Sequence, residues 1–355
     1  MTDARANDAH DDDLANAAFL GSLIADAISL PVHWYYDRGA LDRDYPELLE
    51  PADTLRYLPP RSPHPDSILW RSSYVAAGPE FDLLGDQAQF WGRRGVHYHQ
   101  QLPAGGSTVN FRLAGELYGM LRRDRDYDPE RWLDHYVAFM RQPARHGDTY
   151  VEEYHRHFFT NLAAGRKPIN CGVSDVHIGG LAHVPAIVAG LGPRHPDLRR
   201  IVRLHVSLTH KDDDVLAAAD AFVRMLVRLT RPDRPPDELR TVVVEEASDW
   251  VSLAKLADWD RRCDAAGGGC PDRGVVGGVL SPACYIDEAF PAALFLACRH
   301  PHDFAGGIRA NALCGGDNCH RGAVVGALLG ATAPIPRRLL AELQARDTLS
   351  FPQGF

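Results

Sequence analysis

The residue types best suited to chemistry stand together near the C-terminus, in Asp317-Asn318-Cys319-His320. A carboxylate, a thiol and an imidazole within four residues can supply a nucleophile, acid–base groups or metal ligands. Asp317, Cys319, His320 are therefore candidate catalytic residues and candidate metal ligands. Gly315-Gly316 precedes them, and a glycine pair lets the backbone turn sharply and approach a ligand. A small apolar run ending at Ala331 follows, with Asp317 or Asn318 as its natural N-cap. The four residues thus open a helix, where unpaired N–H groups favour anions.

Gly105-Gly106-Ser107-Thr108-Val109-Asn110 repeats that design. Helical spacing of Phe111, Ala114, Leu117, Tyr118 and Leu121 predicts the helix behind it. A capping role accounts for Ser107 or Thr108 and leaves Asn110 over as a candidate site residue. Asn170 to Gly180 reads as a polar loop in which Ser174, Asp175 and His177 are candidate binding residues. Their adjacency does not make a triad, which is set by geometry. His97 and His99 could be ligands, although residues two apart share a face only in a strand. His155 and His157 read as surface or core-edge residues.

The elements that must position these groups read as helices. The first, over 14–29, carries the small residues Ala17, Gly21, Ala25 and Ser29, and encloses Asp26. The last carries Gly322, Gly326 and Gly330 on one face. Each glycine costs about 1 kcal/mol in a helix interior, so two such stripes predict helices packed at short axial distance. Residues 37–105 predict long loops and short helices. One or two amphipathic helices follow over 129–165, with Trp132, Tyr136, Phe139 and Met140 in the core. Further helices are predicted over 181–191, at two places within 198–230, and over 292–298. Residues 231–283 read as irregular. No period-2 pattern stands out, so the expected class is all-α: a single domain over 14–345, with a disordered acidic tail (1–13) and a C-terminal tail (346–355).

The net charge of −9 argues against bulk nucleic-acid binding. Seven scattered cysteines, odd in number and without a CxxC pair, read as reduced thiols. No signal peptide is evident and the late apolar run is too short to span a bilayer. The expectation is a cytoplasmic protein with neither a nucleic-acid nor a membrane partner, its oligomeric state open.

In order and spacing these residues resemble the ADP-ribosylglycohydrolase family and its crystallin J1 relatives. The resemblance runs through Gly21 to Asp26 and Pro31, Ser207-Leu208-Thr209-His210, Glu288 to Leu294, Asp303-Phe304, Gly315-Gly316-Asp317, the Gly322–Ala331 helix and Ile335-Pro336. It implies a compact all-helical orthogonal bundle and a cleft for ADP-ribose. It implies two magnesium ions held between a Thr-Asp-Asp and an Asp-x-Asp-Thr element. It also implies hydrolysis of an N- or O-glycosidic bond to ADP-ribose or a related nucleotide-sugar, with a small-molecule or ADP-ribosylated substrate.

The departures fall on the metal elements. Thr108-Val109-Asn110 stands for the first and Asp317-Asn318-Cys319-His320 for the second, while His33 replaces a glutamate after the first helix. If the fold is kept, His33, Asn110, Asp317, Cys319 and His320 should meet in one cleft, with Thr108 and Asn110 positioning substrate. That set fits one softer metal such as zinc, or a metal-free site with Cys319 as nucleophile activated by His33 or His320. It also fits a single magnesium on Asp317, or a non-catalytic ADP-ribose-binding or crystallin-like structural protein.

Overall fold

The computed structural model describes residues 2–231, 235 and 238–345, with side chains from Asp12 onward. The tail 346–355 lies outside them. The α-helices in chain order are α1 (Thr2–Ser29), α2 (Arg38–Asp44), α3 (Val109–Asp124), α4 (Pro129–Met140), α5 (Pro143–His146), α6 (Glu153–Ala163), α7 (Val184–Leu191) and α8 (Leu198–Ser207). They continue with α9 (Asp213–Leu229), α10 (Leu239–Glu246), α11 (Leu253–Ala266), α12 (Ile286–Arg299), α13 (Phe304–Leu313), α14 (Asn318–Thr332) and α15 (Arg337–Glu342). Among the described residues there is no strand, only three isolated bridges. The class is all-α, as expected.

α14 is the centre of the molecule. Every residue from Asn318 to Ala331 is buried, and α1, α9, α12 and α13 pack around it. A helix enclosed on all sides carries no polar face. α1 lies antiparallel along it. A Cβ on Gly326 would land on the Gly21 carbonyl, and one on Gly330 on that of Ala17. A Cβ on Gly322 would press on Ala25. The two small stripes therefore meet each other. Asp12–Val32 is apolar and long enough to cross a membrane, but nearly all of it is buried inside the fold.

Two expectations need correction. α1 starts at Thr2 rather than at residue 14, so the acidic run is helical, and Asp12 pairs with Arg122 of α3 at 3.5 Å. Residues 231–283 are more regular than expected. Leu239, Val242 and Val243, and then Leu256, Trp259 and Cys263, bury one face each of α10 and α11. The prolines and glycines around them masked that spacing. Elsewhere the outline holds: only α2 and short 3-10 turns occupy 37–105, and Asp212 caps α9 by accepting from the Asp214 and Val215 amides.

The close approach of α1 and α14 leaves no room for side-chain volume. Gly326→Val is expected to destabilise the fold by about 2 kcal/mol or more, read as a lowered melting temperature. An equally large loss is not expected for Gly119→Val, since Gly119 faces open space.

Candidate functional site

Three helices begin at one place. Thr108 is the N-cap of α3, Glu152 of α6 and Asp317 of α14, and the end of α1 arrives there through Leu30–Val32. Asp317 is fully buried and caps α14 through the His320 amide. Its Oδ1 is held by two imidazoles, His33 Nε2 at 2.9 Å and His320 Nδ1 at 2.8 Å. Its Oδ2 has no hydrogen-bond partner, and His177 Nε2 stands 3.4 Å away.

Each imidazole is held from behind. His33 Nδ1 meets His99 Nε2 at 2.7 Å, and His99 Nδ1 meets Asp148 Oδ1 at 2.5 Å. The other Asp148 oxygen accepts the Val109 amide. His320 Nε2 lies 2.6 Å from the Asn110 side-chain amide, whose far end meets Tyr154 and His155. Gly179 donates its amide to His177 Nδ1, which leaves the ring proton on Nε2. His97 is not a site group: it spans from the Pro31 carbonyl to the His99 amide and so fixes the loop.

Burial would raise the Asp317 carboxyl, but His320, His33 and His177 outweigh it and hold it well below its ordinary value. Burial lowers His33 to about 3 against the pull of Asp317. Burial opposes charge on His320 too, yet Asp317, Glu152 and Asp26 raise it to about 9. Glu152 lies 3.9 Å from both His320 and His177. Burial pushes its carboxyl up to about 8, opposed by His320 and reinforced by Asp317 and Asp148.

Above Glu152 and His177 opens a cleft of about 590 Å³, walled by Trp34, Tyr36, Trp70, Tyr98, Tyr150 and Tyr285. Trp34 adopts a left-handed backbone conformation (φ 61°), and its ring stacks on His33 at 4.1 Å. A larger groove of about 870 Å³ runs along the outer face of α3, past Arg112, Glu116, Arg122 and Arg145. It holds none of the groups converging on Asp317.

His33, Asn110, Asp317 and His320 meet as expected, and His177 joins them. Asp175 accepts the His177 amide and lines the cleft. Ser174 is exposed and does not line the cleft. Cys319 does not join: its buried thiol points back at the Asp26 carbonyl, 3.7 Å away, in the α1–α14 contact. Burial, then Asp26 and Asp317, push that thiol well above its ordinary value, the reverse of an activated nucleophile. Thr108 makes no cap bond of its own, because its amide and hydroxyl both go to Asp26, which burial raises to about 6. Gly315 and Gly316 (φ 66° and 65°) let the chain press on the Tyr35 and Pro282 carbonyls rather than on a ligand.

Glu152, Asp148 and the role of His99 were missed by sequence reading, and His155 is buried at the core of the network rather than at an edge. A carboxylate just before a helix was the available signal for Glu152, but it reads equally as an ordinary N-cap.

The chain matches the ADP-ribosylglycohydrolase family over residues 7–351, and it belongs to that family. Proteins of this family act on ADP-ribosylated substrates. Its fold is similar to a solved structure described as an ADP-ribosylglycohydrolase-related protein complex. The two share 21% identity with a TM-score of 0.58, over 96% of this chain and 95% of the other. No curated protein matches the chain.

A pair of magnesium ions does not fit these donors. Magnesium takes hard oxygens in octahedral order, whereas imidazole nitrogens surround Asp317. Of the other carboxyl groups close by, Asp26 and Asp148 are taken up by Thr108, Val109 and His99, and burial holds Glu152 protonated.

The fold keeps many histidines buried and neutral. Burial lowers His64 and His183 to about 4, and His97, His155, His205 and His210 well below the ordinary range. These groups take up protons near pH 6.5 only when unfolded. Their contribution is present above that pH and is lost as pH falls, by about 1.4 kcal/mol per pH unit for each group. A steep loss of denaturation midpoint between about pH 6.5 and 5 is expected; a flat profile there would contradict buried neutral histidines.

Proposed function

We propose that the protein is a hydrolase that cleaves an N- or O-glycosidic bond to ADP-ribose or a closely related nucleotide-sugar. The observation that carries this reading is the division between two carboxyl groups, Glu152 lining the aromatic cleft and Asp317 buried behind His177. Glu152 is held protonated near neutral pH and Asp317 is held ionised. Environments that push two carboxyls apart assign the acid and the charge-stabilising partner. The aromatic walls supply stacking surface for a base and apolar faces for ribose.

In this reading Glu152 gives its proton to the leaving oxygen or nitrogen as the bond to the anomeric carbon breaks. Positive charge develops on the ribose, and the Asp317 carboxylate beneath His177 stabilises it. Water adds to the anomeric carbon and returns a proton to Glu152. ADP-ribose and the protonated leaving group depart, and the enzyme is restored. His177 lines the cleft and holds its Nε2–H toward Asp317, so it stands between that charge and the bound ribose.

The test is release of free ADP-ribose from ADP-ribosylated arginine, serine and carboxylate peptides. Glu152→Gln is expected to lower kcat by about 10²–10⁴-fold, with ADP-ribose still raising the melting temperature. Activity that requires protonated Glu152 falls as pH rises through about 8, and this limb should vanish in the residual activity of Glu152→Gln. ADP-ribose binding without turnover on any linkage would instead assign a non-catalytic binding protein.

A further inference from the structure

Two of the seven free cysteines meet, well away from the aromatic cleft. The Cys314 thiol is in hydrogen-bonding contact with the Cys270 sulfur. The chain segments that carry them are fastened together beside that contact. Cys270 opens the short turn Pro271–Gly274, in which the Arg273 amide donates to the Cys270 carbonyl. The Arg273 side chain then reaches across. Its Nε donates to the carbonyl of Leu313, next to Cys314, at 2.7 Å, and its two terminal nitrogens grip Asp42 of α2 at 2.7 and 2.8 Å. Arg38, also on α2, donates to the Arg273 and Gly277 carbonyls. A largely buried clamp, and not a free loop, therefore sets the two sulfurs side by side.

The two thiols are not equivalent. Cys314 is 1% exposed and Cys270 7%. Gly267 to Gly269, directly before Cys270, are exposed, and no atom fills the space where side chains on Gly267 and Gly268 would sit. A small reagent reaches Cys270 along this loop without displacing packed side chains. The Cys314 hydrogen bond lowers the Cys270 thiol against burial and Asp272, and the Arg273 charge and amide assist. The same contact, and then burial, pushes Cys314 well above the ordinary thiol range. Burial pushes the remaining cysteines up as well. The thiolate is the reactive form of cysteine. The pair thus joins a more accessible sulfur with thiolate character to a buried thiol that holds its proton.

We infer that Cys270 and Cys314 form a reversible oxidation site for a hydroperoxide, with Cys270 attacking and Cys314 resolving. The Cys270 sulfur attacks the outer peroxide oxygen. An S–O bond forms, the O–O bond breaks, and the departing alkoxide leaves as the alcohol with the Cys270 proton. The product is a sulfenic acid. The Cys314 sulfur then attacks the Cys270 sulfur. An S–S bond forms, the S–O bond breaks, and hydroxide leaves as water with the Cys314 proton. The two thiols give up two electrons, and the peroxide is reduced to alcohol and water. Thiol exchange restores both cysteines. Gly315, Gly316 and Asp317 follow Cys314 directly, so the disulfide ties the Pro271–Gly274 turn to the segment that presents Asp317. The inference rests on the cysteine pair and does not depend on the hydrolase reading.

The experiment treats the reduced full chain with a few equivalents of hydrogen peroxide under native conditions. The protein is then digested without reductant and mapped by mass spectrometry. The peptides carrying Cys270 and Cys314 are expected joined, lighter by two hydrogens, and separated again by dithiothreitol. In Cys314→Ala the crosslink is lost and dimedone labels Cys270 as the sulfenic acid. In Cys270→Ala the crosslink is lost and Cys314 stays unlabelled. Circular dichroism checks that each variant is folded, and the wild-type map decides the matter where one is not. Folded wild type in which Cys270 and Cys314 stay unlinked after peroxide would overturn the proposal. So would Cys270 joined to another cysteine such as Cys263, or dimedone on Cys314 in Cys270→Ala. Each result is read without any substrate, so it is separate from the fate of the proposed activity.

Discussion

The close antiparallel contact between α1 and α14 sets the rest of the structure. Ala17 lies on Gly330, Gly21 on Gly326 and Ala25 on Gly322, backbone against backbone. Continued in that register, the end of α1 must meet the start of α14. His33 follows α1 directly and Asp317 precedes α14, so the helix pair brings them together as a consequence of packing. The Trp34 amide donates to the Gly316 carbonyl and the Gly316 amide to that of Tyr35, which locks the two chain segments side by side. Three interior glycines on α14 are unfavourable as helix formers. Close packing over a wholly buried helix offsets that cost.

What this packing creates is a buried carboxylate, and an unpaired one would cost several kcal/mol. The start of α14 and two imidazoles surround it. Arg321, one residue past His320, is also fully buried, and it spends its guanidinium on Asn311 and on the Gly315 and Pro282 carbonyls. It ties down the loop that presents Asp317 without taking up the carboxylate. The charge on Asp317 thus remains available to the histidines around it. Burial raises both carboxyls: on Asp317 the contacting imidazoles outweigh it and keep the group ionised, whereas on Glu152, with its nearest imidazoles 3.9 Å away, burial prevails and holds the proton.

Much of this was legible in the sequence because it is local or periodic. The small stripes, the cap at Asp317 and the glycine-led starts of α3 and α14 are short-range patterns, and their order carried the family resemblance. The meeting of His33, Asn110, Asp317 and His320 followed from that resemblance. The failures concern direction and distance. Cys319 lies two residues after Asp317 and on a different face of the helix, so adjacency suggested a partnership that geometry denies. Thr108 read as a cap because its spacing fits one, but Asp26 lies 82 residues away and reaches it first. His99 and Asp148 are placed by irregular loops, where no period announces what a side chain will touch.

The most direct test of the account is a crystal structure with ADP-ribose bound. The ribose is expected in the aromatic cleft, with its anomeric carbon above His177 and within hydrogen-bonding reach of Glu152. ADP-ribose seated instead in the larger groove along α3, beside Arg112 and Arg145, would contradict the assignment of the cleft as the site of hydrolysis.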